Sequence, residues 1–287
     1  MPSVQTTYFH DDLIKELICW VEQNLNGRLT MEKAAEVTGY SQWYLQRLFK
    51  SKTGYSLGNY IRERRLTMAA FALRFTNMSI LDISLYYTYD SQQTFTRSFK
   101  NKFRSSPGAY RKEITWTMKY ITAPLTMCDF PPPVFDIVEL PELVLRGNSK
   151  IYFYPVNDIF GGRNHVHRDS VTRNLALLKS LSTPVWGISD YRSYSSVSAA
   201  NTMELEYTIG YEVPKSVKHT LRIPACRYLK VTYTHDILRL NDFILYLHLV
   251  LLPSLNYPRL MQPDMEKYSY ESASGDIICE YFIPLAC

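Results

Sequence analysis

Apolar and polar residues follow two different rhythms along this chain, and the change falls near residue 113. Before it, apolar positions recur at the helical spacing of three and four. Leu13, Ile14, Leu17, Ile18 and Val21 form one face of a helix opened by Asp11 and Asp12. Thr30 is placed to cap a helix over 31–38, and Gly39 to turn the chain. Ser41 caps the next helix, which runs to Thr53 and stops at Gly54. Ser56 then starts a longer helix from Leu57 to about Phe75, with no Gly or Pro after Gly58. Ser79 opens a helix over 80–87 and Ser91 another, which ends at Ser106-Pro107 before a short helical tail.

Two of these helices repeat each other fifty residues apart. Ser41/Ser91, Gln42/Gln92, Arg47/Arg97, Phe49/Phe99, Lys50/Lys100 and Lys52/Lys102 match in register. At about 100° per residue, Gln42, Trp43, Gln46, Arg47 and Lys50 share one arc, and Tyr44, Leu45, Leu48 and Phe49 the opposite one. The second copy turns Gln92, Gln93, Thr96, Arg97 and Lys100 outward, with Phe95 and Phe99 inward. Gln and Arg can bond adenine and guanine edges in two places at once. Each copy follows a short first helix, the order of a helix–turn–helix. The nineteen-residue helix between the copies spans roughly 28 Å. That suits half-sites about one DNA turn, ~34 Å, apart. Arg62, Arg64, Arg65 and Arg74 on this strut are expected to be exposed, either simply solvated, the commoner fate of such charges, or in contact with phosphates.

Charge sharpens the division. Residues 1–113 carry sixteen Lys and Arg against ten Asp and Glu; the remainder carries sixteen against seventeen and holds 14 of the 23 tyrosines. The basic excess lies where a phosphate-binding module needs it. The five scattered cysteines include no C-x-x-C pair, which favours reduced thiols. The N-terminus has no basic-then-apolar signal pattern, and the most apolar stretch, Phe243–Leu252, is too short for a bilayer. These features predict a soluble, cytoplasmic protein with no membrane partner.

After residue 127 the rhythm becomes that of strands. Extended segments are expected at Val134–Glu139, Leu143–Leu145, Ile151–Tyr154, Val185–Ile188, Glu204–Tyr211, Arg227–Thr234 and Ile277–Pro284, and helices at Ser170–Leu181 and Asn241–Leu252. Two rounds of strand, helix and strands predict a pseudo-repeated α+β domain. The fold class is therefore multidomain: an all-α domain with two helix–turn–helix units joined by a linker helix, then pseudo-repeated β-α-β-β units.

The strings Gly39-Tyr40-Ser41, Tyr44-Leu45-Gln46-Arg47, Tyr60-Ile61-Arg62 and Asp90-Ser91-Gln92-Gln93-Thr94-Phe95-Thr96-Arg97 resemble the AraC/XylS family of transcription regulators, in its Rob/MarA/SoxS branch. The resemblance implies a DNA-binding domain over 8–113 and a linker over 114–127. It implies base reading by Trp43, Gln46 and Arg47, then Gln92, Gln93 and Arg97. Phosphate contacts would come from Gln42 (where relatives often carry Lys), Lys50, Arg62, Thr96 and Lys100. Thr88 stands where many relatives have Gly. The expected partners are double-stranded DNA, bound as a monomer, and RNA polymerase. The chain would act as an activator.

Residues 128–287 resemble a GyrI-like ligand-binding domain, the Rob-like arrangement, through Val138-Glu139-Leu140-Pro141, Asp264-Met265-Glu266-Lys267-Tyr268 and Cys279-Glu280-Tyr281-Phe282-Ile283-Pro284. That family encloses a hydrophobic cation with aromatic rings around an acidic residue. Glu280 is assigned the acidic position, with Trp186, Tyr152, Tyr207, Tyr228 and Tyr281 as candidate walls. An alternative for Glu280 is a pairing with a nearby cation or with water. A lipophilic-cation sensor that modulates the DNA module is the second functional reading. A hydrolase of GyrI-like type is a remote third, since no nucleophile–base pair is recognisable. His165 and His167 have a spacing metals can use, but no third ligand stands beside them. No metal, cofactor or catalytic residue is expected.

Overall fold

A computed structural model describes residues 4–125, 130–160, 169–170, 183–193, 201–234, 236–271 and 276–286. The chain divides into two compact units, one helical and one built on a sheet.

The helical unit contains α1 (Val4–Gln23), α2 (Met31–Thr38), α3 (Gln42–Thr53), α4 (Leu57–Phe75), α5 (Ile80–Tyr86), α6 (Gln92–Phe103) and α7 (Pro107–Lys112). The expected caps hold. Thr30, Ser41, Ser79 and Ser91 each accept a bond from the backbone N–H three residues on. Such caps are worth about 1 kcal/mol each. Helix α1 begins earlier than expected, at Val4 rather than at Asp11.

The arginines of α4 depart from expectation, because only Arg62 is exposed. Arg64 is fully buried and grips Glu22 of α1 through Nε and Nη2, at 2.9 and 2.8 Å. Burial alone would lower its pKa, but Glu22 outweighs that and keeps the guanidinium charged. Tyr60 donates to the same carboxylate at 2.6 Å. Arg65 ties down the carbonyls of Leu25 and Gly27, and Arg74 is buried over the Tyr110 ring. These cations fasten the strut to its surroundings.

Residues 112–119 belong to the sheet unit, where β1 (Thr115–Trp116) pairs with a later strand. Residues from Tyr120 return to the helical unit. There Thr122 bonds Thr67, Arg64 and Lys102, and the Leu125 N–H donates to Tyr60.

The sheet unit adds β2 (Phe135–Leu140), β3 (Leu143–Pro155), a short α8 (Val156–Phe160), β4 (Val185–Ser193), β5 (Thr202–Glu212), β6 (Leu221–Ile223) and β7 (Cys226–Tyr233). Then follow α9 (Leu240–Tyr246), a π-turn at Leu247–Leu251, α10 (Leu252–Leu255), β8 (Arg259–Leu260), β9 (Asp264–Glu271) and β10 (Asp276–Leu285). Every pairing is antiparallel, and the central strands run β3-β5-β4-β9-β10-β7. That order reads the same from either end by repeat: β3, β4 and β5 mirror β7, β9 and β10 across the β4–β9 seam. The two strands expected at 143–145 and 151–154 are one strand, β3. Strand β9 was not anticipated, because Asp264 and Glu266 occupy its inward positions and hide the apolar alternation.

The expected helix at 170–181 and the histidines 165 and 167 lie almost wholly outside the described residues. The apolar stretch near 243–252 belongs to a longer helical run, Ile237–Leu255, with mean hydropathy 1.3. By length and composition alone that run could cross a membrane, yet half of it is buried within the protein. Its π-turn sits just before Pro253, where the ring would otherwise press on a preceding carbonyl.

Candidate nucleic-acid interface and effector site

Helices α3 and α6 present the same chemistry in the same frame. Gln42, Trp43, Gln46, Arg47 and Lys50 are all exposed, while Leu45, Leu48 and Phe49 are buried beneath them. Gln92, Gln93, Arg97 and Lys100 are exposed and Thr96 is half-buried; Phe95, Phe99 and Phe103 are buried. In the second copy Gln92, Gln93, Thr96, Arg97 and Lys100 line a common depression. In the first, Gln46, Arg47 and Lys50 line another beside the start of α4. The matched pair Lys52/Lys102 points elsewhere: Lys52 pairs with Asp11 at 2.6 Å, and Lys102 with Glu63 at 2.5 Å. The repeat thus mixes outward chemistry with two structural ion pairs.

In the sheet unit the expected acidic residue, Glu280, is ion-paired. Glu280 sits between Lys267 and Lys230, at 3.2 and 3.4 Å. It shares its face with Trp186, Tyr228 and Phe282, which pack into one apolar cluster. The ion-paired alternative is the one the structure adopts. On the opposite face lies Glu266, fully buried. Its Oε2 accepts from Tyr207 at 2.5 Å and Tyr268 at 3.0 Å, and its Oε1 from Ser189 at 3.2 Å. Glu280 pairs across the ladder with Lys267, and Glu266 with Tyr281. That single step of register turns the two carboxylates to opposite faces.

The expected wall residues divide accordingly. Tyr152, Tyr207 and Tyr281 lie on the Glu266 face, with Tyr152, Tyr154 and Tyr191 packed around Tyr207 and Leu205. Trp186 and Tyr228 lie on the other face. Burial, reinforced by Glu266, lifts the Tyr207 and Tyr268 hydroxyls well above their ordinary pKa, so both remain donors.

Gly187 stands opposite Glu266 across the β4–β9 seam. A Cβ there would press on the Tyr207 hydroxyl and the Glu266 carboxylate, so a larger residue would have to shift them. One strand step away, Asp264 is held by Arg259 at 2.9 Å and by His248 and Tyr281, each at 3.2 Å. Burial would raise the Asp264 carboxyl, but Arg259 and His248 outweigh it and hold it below the usual carboxylate range. Sequence reasoning did not group Glu266, Tyr268, Ser189 and Gly187 as a candidate site. The usable signal was the period-two run Asp264, Glu266, Tyr268, Tyr270, which sets acids and phenols on one strand face.

Comparison with known proteins agrees with both halves. A helix-turn-helix domain model matches residues 34–113, and a GyrI-like small molecule binding domain model matches 135–286. The transcriptional regulator Rob of Salmonella typhimurium is 32% identical, over 95% of this chain and 98% of its own length. The right origin-binding protein of Escherichia coli K12 matches with the same identity and coverage. The HTH-type transcriptional activator AarP of Providencia stuartii is 44% identical over 38% of this chain and 81% of its own. The chain is a transcription regulator that belongs to the AraC-type family, in the Rob-like group that joins a double helix–turn–helix to a GyrI-like domain.

Proposed function

We propose that this regulator binds an asymmetric DNA element of two half-sites as a monomer and activates transcription by recruiting RNA polymerase in the cytoplasm. Gln46 and Arg47, with Trp43 beside them, would read one major-groove segment; Gln92, Gln93 and Arg97 would read the next. Gln42, Lys50, Arg62, Thr96 and Lys100 would hold phosphates. The carrying observation is that α3 and α6, each set by a serine cap, expose matched Gln, Arg and Lys over buried apolar faces. An element selected from random duplexes should give an asymmetric footprint with one chain bound. Two chains per element, or a two-fold symmetric footprint, would contradict the monomer.

A small molecule would act at Glu266. A buried carboxylate among phenol rings suits a hydrophobic cation, through one desolvated counter-charge and cation–π attraction. Calorimetric titration with tetrabutylammonium should show saturable binding that weakens at least about tenfold in Glu266→Gln, the loss of roughly 1.4 kcal/mol. Unchanged affinity in Glu266→Gln, or an equal loss in Glu280→Gln, would move the site elsewhere.

A further inference from the structure

Trp43 is 65% exposed, an unusual setting for the largest apolar side chain, and the buried face of α3 does not use it. One turn on, the Arg47 guanidinium lies over its ring, 4.6 Å from the centroid. In the second copy the position one turn before Arg97 is Gln93, which offers no ring. We propose that Trp43 is a positioning residue: its indole is a platform that orients Arg47 for a base edge, and α6 has no counterpart. The inference rests on base reading by Arg47.

The physical argument starts from the shape of the guanidinium. Its five N–H donors lie around the rim of a flat group, so stacking occupies the face and leaves the rim free. A bidentate bond to guanine needs that rim held in one plane. An arginine on an exposed helix otherwise spreads over many rotamers, which ordering on DNA must remove. The ring restricts that freedom before DNA arrives. The first helix is therefore pre-organised where the second must order on contact. A lysine at 47 would gain little from the same ring, because its ammonium has no flat rim to present.

The test is a double-mutant cycle in the full chain, using a selected duplex and its single-base-pair variants. Arg47→Ala should lower discrimination at one base pair. Trp43→Gln, which copies the second helix, should lower discrimination at that same pair by about three- to tenfold, the size of a surface cation–π contact up to a partly desolvated one. With Arg47 already removed, Trp43→Gln should change it by less than about twofold. Trp43→Phe should restore most of the loss. In the free protein with nitrogen-labelled arginine, the Arg47 Nε–H resonance should carry a ring-current shift that disappears in Trp43→Gln. Additive losses would overturn the positioning role and leave Arg47 as a reader. Discrimination untouched by Arg47→Ala would overturn the base-reading assignment, and the positioning role with it.

Discussion

The two helix–turn–helix copies share caps and outward chemistry but differ in backbone and core. The first copy turns at Gly39 and Gly54, with φ of 73° and 79°. The second places Thr88 and Arg104 in the same left-handed region, at 60° and 61°. Its turn is also one residue longer, since Thr88 precedes the Ser91 cap by three positions where Gly39 precedes Ser41 by two. A side chain at such φ costs roughly 1–2 kcal/mol, and more than usual for branched Thr88. The second core is correspondingly aromatic: Phe95, Phe99, Phe103 and Tyr110 pack ring on ring at 4.5–5.6 Å. The first relies on Leu45, Leu48 and Phe49. The outward residues keep one frame while the scaffold beneath them varies.

The strut both copies share offers the largest test. Glu22→Ala leaves the Arg64 cation buried without its carboxylate, and should cost about 3–5 kcal/mol in denaturant unfolding. Specific DNA binding by both copies should fall together. Loss from one copy only would show that α4 does not couple them.

The turns sharpen the contrast at smaller scale. Arg104→Gly and Thr88→Gly should each stabilise the protein by up to about 1 kcal/mol, strain relief outweighing the entropy of glycine. Gly54→Ala should destabilise by a similar amount. Equal responses in both copies would mean the left-handed residues carry no strain.

The matched lysines give the smallest effect. Lys50→Ala and Lys100→Ala should each reduce the slope of log affinity against log salt by about 1 while leaving base preference intact. Lys102→Ala should leave the slope unchanged, because Lys102 is engaged with Glu63 and Thr122. A slope change there would place Lys102 on DNA.

The helical half was largely legible from sequence, since caps, glycine stops and helical periodicity are local signals. The burial of Arg64 and Arg74 and the tethering of Arg65 were not, because their partners lie thirty or more residues away. In the sheet half most strands showed in the apolar alternation. The strand that carries Glu266 did not, because Asp264 and Glu266 on its inward face break the pattern. The division of the candidate walls between two faces was not legible either. Whether Glu266 or Glu280 points inward depends on the pairing of β9 with β10, and local sequence does not contain that register.

The most direct test of the account is DNA binding by anisotropy across a salt series, with the selected element and random duplex, for wild type, Arg47→Ala and Arg97→Ala. Each variant should lose about 1–3 kcal/mol on the selected element, at a different half-site, and far less on random DNA. Equal losses on both duplexes would show that the arginines only hold phosphate. An Arg97→Ala protein with full selectivity would reduce the second copy to an anchor and contradict two-site reading.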